Sequence, residues 1–482
     1  MKRIIFSVSL GLACVSVAGV APAQNRVQSI SASDKRAGAE AHPQLVQQFG
    51  GAMKGPAADY VARVGKRIAV QSGLSGSERD FTITLLDSPV NNAFAMPGGY
   101  VYVTRGLLGL MNDEAELASV LGHEIGHVAA RHGAKRQQTA TITSVLAGVV
   151  GAVAGNSGWG GLIGKGADVG ADLITKGYSR NQEYQADDLG VRYLSRAGYD
   201  PLASADMLLL LDRQQMFEAR ARGGSSNNLP SWASTHPNST DRVSRARGKA
   251  QATGVAGRGQ RNRDALLSAV DGLVWGDDPA KGFVDGREFK LPSERLAFTV
   301  PEGFQVNNAD DAVTIVGSGG QAVFSGDRLS SGLDDYIGQA FAKLSPNIGY
   351  GQIRGGQANG LSFRYALGSA NSNAGPVDVG VFAYRPDNGD TAYKIVTISR
   401  AGTGAGSFVS LVESMRRMSA AEGTGLKPLR IKLLRVKAGE TPQTFARMMA
   451  FPDNPLERFL LLNGLERDAA LRPGDRVKVV VK

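Results

Sequence analysis

Cysteine is nearly absent. The single Cys14 lies within the first 23 residues, so the rest of the 482-residue chain holds no thiol. A disulfide framework, a cysteine zinc knuckle and a thiol nucleophile are therefore excluded. Aromatic residues are sparse at 7%, and only five histidines occur, so an imidazole-based site must draw on very few positions. Beyond the N-terminus no apolar run is long enough to cross a bilayer. Ile142 to Ala154 is thirteen apolar or small residues, about 20 Å as a helix against a hydrocarbon core of about 30 Å, which excludes a polytopic membrane protein. Glycine is the residue in excess, with 62 copies and no Gly-X-Y period, pointing to turns and loose segments rather than collagen. A 42% hydrophobic share and 20% charged residues describe a globular chain of about two to four domains.

The first 23 residues have a basic head (Lys2, Arg3), an apolar run from Ile4 to about Val20, and Ala21-Pro22-Ala23 before Gln24. This layout predicts a secretory signal with an A-x-A cleavage site, and hence a periplasmic location. Its removal takes the formal charge from +10 to +8.

Amphipathic helical spacing runs from Leu45 through Tyr60, Val64 and Ile68. Strands are expected at Phe81 to Leu86 and Tyr100 to Thr104, around a turn at Asn91 to Gly99. A helix starts near Asp113, with Glu116 at capping-box spacing, and extends to about Arg136. A second begins near Ser179, with Gln182 three residues on, and ends near Arg196. Between them, Ile142 to Gly170 reads as a Gly-rich helical hairpin able to cover a site or touch a membrane face. Arg242 to Arg263 holds seven basic residues and no acid, a helix end followed by a linker. From Phe283 the pattern turns to strands, with helices near Leu333 to Leu344 and Ser407 to Met418 and a hairpin turn at Asp387-Asn388-Gly389. The last unit, Leu429 to Lys482, has strand-like ends around two helical stretches.

His123-Glu124-Ile-Gly-His127 lies inside the first capped helix. Residues i and i+4 share a helix face, so both imidazoles can reach one ion while Glu124 points toward a bound water. A catalytic zinc needs a third protein ligand and an open position. A third histidine six residues on is excluded by Gly133, whereas Glu183 and Asp187 lie at i and i+4 on the second capped helix. Glu183 suits the third ligand, and Asp187 suits an outer acceptor that orients a ligand histidine through its other N–H. His132 lies about 140° further round the helix, is not expected to share the ion, and reads as packed or exposed. His42, before Pro43, reads as solvent-facing. His236 lies in a loop where it could stabilise an oxyanion or cap the open metal position.

In order along the chain, Asn92-Ala-Phe-Ala-Met-Pro-Gly-Gly99, Val103-Thr-Arg-Gly-Leu-Leu108, His123-Glu-Ile-Gly-His127, Ser179 to Asp187, and Thr235-His-Pro237 with Arg242 resemble the M48 peptidase family, in particular its soluble periplasmic members. The resemblance covers about residues 36 to 250. It implies a gluzincin-type domain with one Zn2+ held by His123, His127 and Glu183, and with Glu124 as general base. The strand-rich sequence that follows departs from the helical repeats of periplasmic relatives, so their partners do not carry over. Val436 to Thr441, Leu462-Asn-Gly-Leu465 and Leu471 to Val477 resemble a LysM peptidoglycan-binding module. The expected architecture is α+β: a signal peptide at 1–23, a mostly helical metallopeptidase domain with a short sheet at 24–270, an α+β domain at 283–420 and a βααβ unit at 429–482.

These features point to a zinc endopeptidase of the bacterial envelope that cleaves misfolded or stalled proteins in outer-membrane protein quality control. Tyr100 to Thr104 is the expected strand for β-addition of substrate. Contacts with peptidoglycan through the C-terminal unit and with a membrane periphery are the further expected partners; nucleic acid is not among them. The alternatives are an envelope chaperone or wall-anchored scaffold with a latent or structural zinc site, and a peptidoglycan hydrolase.

Overall fold

In the computed structural model the described residues are 29–133, 178–221, 232, 236 and 240–482, except 309–311, 330, 346–347, 373–374, 387–389 and 425. The signal segment, the stretch Ile142 to Gly170 and the Asp387-Asn388-Gly389 turn lie outside them.

The helical opening is two helices, α1 (Ala32–Gln48) and α2 (Pro56–Ala69). Gly50, Gly51 and Gly55, all at positive φ, break the chain between them. Strands β1 (Thr82–Leu86), β2 (Ala93–Met96) and β3 (Tyr100–Thr104) form a sheet in the order β1-β3-β2. The β2–β3 turn requires Gly98 and Gly99, at φ 91° and 89°; a side chain at either would also strike the backbone of Asp34 or Asp80. β3 is thus the central strand, parallel to β1 and antiparallel to β2, so it has no free edge for β-addition. The sheet edges, among the described residues, are β1 and β2; the end of β1 is bridged by Ala52 to Leu86 and by Met53 to Leu85, which leaves β2 as the edge without such a bridge among the described residues.

After α3 (Arg105–Leu110) comes α4 (Glu114–Ala129), shorter than expected. Asp113 caps it by accepting from the Glu116 N–H at 2.9 Å. Every residue from Glu114 to His127 is buried, which marks α4 as the central helix of the layer rather than an amphipathic surface one. α5 (Arg180–Arg196) begins with the expected capping box between Ser179 and Gln182. It lies very close to α4: a Cβ on Gly126 would sit 3.0 Å from the Ala186 carbonyl oxygen, and one on Gly190 would sit 3.2 Å from the His123 backbone nitrogen. These two glycines let the backbones approach and bring both motif helices to one site. α6 (Ala203–Ala221), α7 (Thr240–Ala252) and α8 (Arg263–Val270) complete this part.

The central region is mostly antiparallel sheet. Short strands β4 (Val274–Trp275), β5 (Phe283–Asp285), β6 (Glu288–Leu291) and β7 (Leu296–Thr299) lead into β8 (Gln305–Asn308), β9 (Val313–Gly317), β10 (Gly320–Arg328), helix α9 (Leu333–Leu344), β11 (Gly349–Tyr350), β12 (Arg354–Ala358), β13 (Leu361–Ser372), β14 (Gly375–Tyr384) and β15 (Thr391–Arg400). The large sheet runs β11-β13-β14-β15-β10-β9-β8, with β12 also on β13. One face carries the aromatic core of Phe298, Phe324, Phe363 and Tyr393, and the other is covered by α9.

The chain ends as β16 (Leu429–Arg435), α10 (Pro442–Ala446), α11 (Pro455–Leu462) and β17 (Arg476–Val481). This βααβ order agrees with the sequence, and the architecture as a whole is α+β. β16 also pairs with β4, Leu429 opposite Trp275. Ile431, Phe459, Val477 and Val479 belong to the same hydrophobic core as Leu110, Met111 and Val270, a core that contains no residue of 283–420. The central region is therefore inserted between two adjacent strands of a structure closed by the C-terminus.

Candidate active site

α4 presents His123, Glu124 and His127, and α5 presents Glu183 and Asp187; all five side chains are buried. His236 joins them from the chain between α6 and α7. Each of His123, His127, Glu183 and His236 offers one ligand atom, and these atoms lie within 4.8 Å of one another. His127 Nε2 is 3.0 Å and His236 Nδ1 3.2 Å from His123 Nε2. Glu183 carboxylate oxygens lie 3.5 Å from both His123 Nε2 and His127 Nε2 and 3.0 Å from His236 Nδ1. Metal–ligand bonds of about 2.0–2.1 Å place the corners of a tetrahedron about 3.3 Å apart, so the spacing and chemistry of this donor set fit a four-coordinate ion.

The surroundings fix each group. His123 Nδ1 is 2.9 Å from Asp187 Oδ1, the outer acceptor expected from the sequence. Arg242 grips Asp187 through two N–H groups at 2.8 Å each and reaches Glu183 Oε2 at 2.7 Å. Burial acts to raise the Glu183 carboxyl, but His236, His123 and Arg242 hold it below the ordinary carboxylate value. Burial likewise opposes ionisation of Asp187, and the Arg242 fork and His123 outweigh it. Burial pushes the His236 imidazole down to about 4, against the pull of Glu183, so its ring is neutral and able to ligate. Glu124 Oε1 lies 3.4 Å from His236 Nε2, beside the donor cluster.

Residues 57–250 match the family described as Peptidase family M48. The chain carries an M48 peptidase domain. Its sequence is 30% identical over 217 residues to the mitochondrial metalloendopeptidase OMA1 of Schizosaccharomyces pombe, covering 44% of this chain and 59% of that protein. It is 32% identical over 200 residues to the beta-barrel assembly-enhancing protease of Yersinia pestis, covering 40% and 38%, and 31% identical over 198 residues to the protein of that name from Escherichia coli K12, again covering 40% and 38%. The chain thus spans from 38% to 59% of the length of these relatives. The M48 match and the four-donor cluster together make this a metallopeptidase domain.

Several features of the M48 domain escape the sequence. The Trp232 ring stacks on His236 with centroids 4.3 Å apart, and its backbone N–H donates to the Asn91 carbonyl. Tyr178 stacks on His127 at 3.7 Å. Arg242 is visible in the sequence as part of a motif, but its two carboxylate partners lie 55 and 59 residues away. His132 is neither exposed nor merely packed: α4 stops at Ala129, Arg131 takes φ 56°, and the turned chain brings His132 Nδ1 within 2.9 Å of His127 Nδ1. His42 is half-buried, with Tyr102 Oη 2.8 Å from its Nδ1. A cleft joins the β2 edge to His127, lined by Ile30, Leu74, Ala95, Pro97, Val128 and Tyr178.

Proposed function

We propose that the protein is a zinc-dependent endopeptidase of the bacterial cell envelope that cleaves misfolded or stalled proteins, with His123, His127 and Glu183 as ligands and Glu124 as general base. The observation that carries this reading is the tetrahedral spacing of the donors with the buried carboxylate of Glu124 beside them. Bound zinc would polarise the scissile carbonyl and lower the pKa of water toward ~7. The residues supply the rest. Asp187 and Arg242 hold His123 and Glu183 in place. Glu124 is placed to take the proton of the attacking water and pass it to the amine of the departing peptide. The open edge of β2 can add an extended segment through main-chain hydrogen bonds, a mode that favours unfolded chains and reads little sequence.

His236 Nδ1 at the fourth corner favours a resting enzyme in which this imidazole occupies the place of substrate, over a role in oxyanion stabilisation. The signal-like first 23 residues support a periplasmic location, and no described helix is long and apolar enough to cross a membrane. The C-terminal unit, with eleven basic and six acidic residues, suits weak attachment to anionic wall polymer. The deciding experiment is cleavage of unfolded casein by full-length protein and by Glu124→Gln. The variant is expected to keep about one zinc per chain and lose turnover by several orders of magnitude; full activity in it would overturn the mechanism.

A further inference from the structure

Three of the five histidines supply candidate ligand atoms, and a fourth, His132, stands directly behind one of them. His132 has no solvent exposure. Its Nδ1 faces His127 Nδ1 at 2.9 Å, and its Nε2 lies 3.0 Å from Gln185 Oε1. Two facing imidazole nitrogens can hydrogen-bond only when one carries the proton and the other the lone pair. A His127 that offers its Nε2 lone pair to a metal carries its proton on Nδ1, so it donates and His132 Nδ1 accepts. The proton of neutral His132 is then on Nε2, where Gln185 Oε1 accepts it. Only this direction satisfies all three groups.

We propose that His132, keyed by Gln185, is the positioning residue of His127, fixing the tautomer and ring orientation with which His127 meets the metal. The inference rests on reading the cluster as a zinc site. The two histidines of α4 are thus held by different chemistry: a carboxylate behind His123 and a neutral imidazole behind His127. Charge gives the reason. Glu124, Glu183 and Asp187 are already buried around the donors with Arg242 as the guanidinium among them, and a further buried anion behind His127 would carry a desolvation cost that a neutral acceptor does not. Tyr178, stacked on His127, limits tilting of the ring whose rotation His132 fixes.

The test uses the full-length chain. Zinc affinity is read by competition with a chromophoric chelator, and ligand geometry by the visible absorption of the cobalt-substituted protein. His132→Ala is expected to weaken zinc binding roughly 10–100-fold, the usual effect of losing an outer partner of a ligand histidine, and to change the cobalt bands. His132→Asn, whose Oδ1 takes the place of Nδ1, restores most of the affinity. Gln185→Leu, at a position that reaches the surface, falls between wild type and His132→Ala. If alanine prevents folding, His132→Leu fills the space without an acceptor and takes its place. Affinities within about twofold of wild type in all variants, or an asparagine variant no better than alanine or leucine, overturn the positioning role. A wild-type chain that binds no zinc overturns the site reading itself, a separate result.

Discussion

Lys478, four residues from the C-terminus, donates from its ammonium to the carbonyl oxygen of Met111 at 2.7 Å, two residues before the cap of the metal helix. The same group donates to Gly109 and Leu110 at 2.8 and 3.1 Å. These are the last carbonyls of α3, which have no partner within their own helix, and a cation at a helix C-terminus is favoured by the dipole. Burial pushes the ammonium down to about 7, against the pull of Glu116. Lys478→Met keeps the volume and removes the donors; the Leu110 carbonyl keeps its bond from Asn112 Nδ2, while those of Gly109 and Met111 lose the ammonium. The expected cost is about 2 kcal/mol or more, read as a lower urea midpoint for the whole peptidase segment. A variant as stable as wild type would show that the carbonyls find other partners.

His236→Ala tests the resting state. With Nδ1 at the fourth corner of the donor set, its removal is expected to raise basal cleavage of unfolded casein severalfold while zinc is retained. A large fall in turnover at full zinc content would instead assign the imidazole to the oxyanion.

His42 makes stability depend on pH. Burial lowers its pKa below the ordinary 6.5, so the unfolded chain takes up a proton before the native one does, and stability is lost as pH falls below 6.5. Urea unfolding between pH 7 and 5 should give a shallower pH slope in His42→Gln than in wild type; equal slopes would remove His42 from the balance.

The inserted position of the central region yields a deletion experiment. Leu429 and Trp275 are paired across adjacent strands, so their Cα atoms are about 5 Å apart, and the cores of the insertion share no residue with that of the peptidase. Replacing residues 277–427 by a short Gly-Ser linker should leave a soluble, cooperatively folding protein that binds zinc. The variant loses the half-buried Lys281–Asp87 ion pair and the Lys281 hydrogen bond to the Gly50 carbonyl, together on the order of 1–2 kcal/mol. Aggregation of the shortened chain would show that the insertion supports the peptidase core.

What could be read from sequence divides along the range of the interactions. Asp113 and Ser179 announce their helices because a cap is satisfied within three residues, and the faces that pair His123 with His127 and Glu183 with Asp187 follow from helical spacing alone. The edge role of β2 was hidden, because the parallel pairing of β1 with β3 joins segments separated by a whole strand and turn. His132 was misplaced for a local reason: continuing α4 to Arg136 sends it round the helix, whereas the left-handed Arg131 ends the helix and returns it to His127. Arg242 and Trp232 reach the site only through tertiary packing of α7 and the segment before it, which no periodicity encodes.

The sharing of one core by segments distant in the chain ties them into one folding event. Val477, Val479 and Val480 fill the same interior as Leu110, Met111 and Leu117, so the support beneath the metal helix is complete only when residues 429–481 have packed against it. The donor set is thus steadied by a part of the polypeptide that supplies none of its four donors.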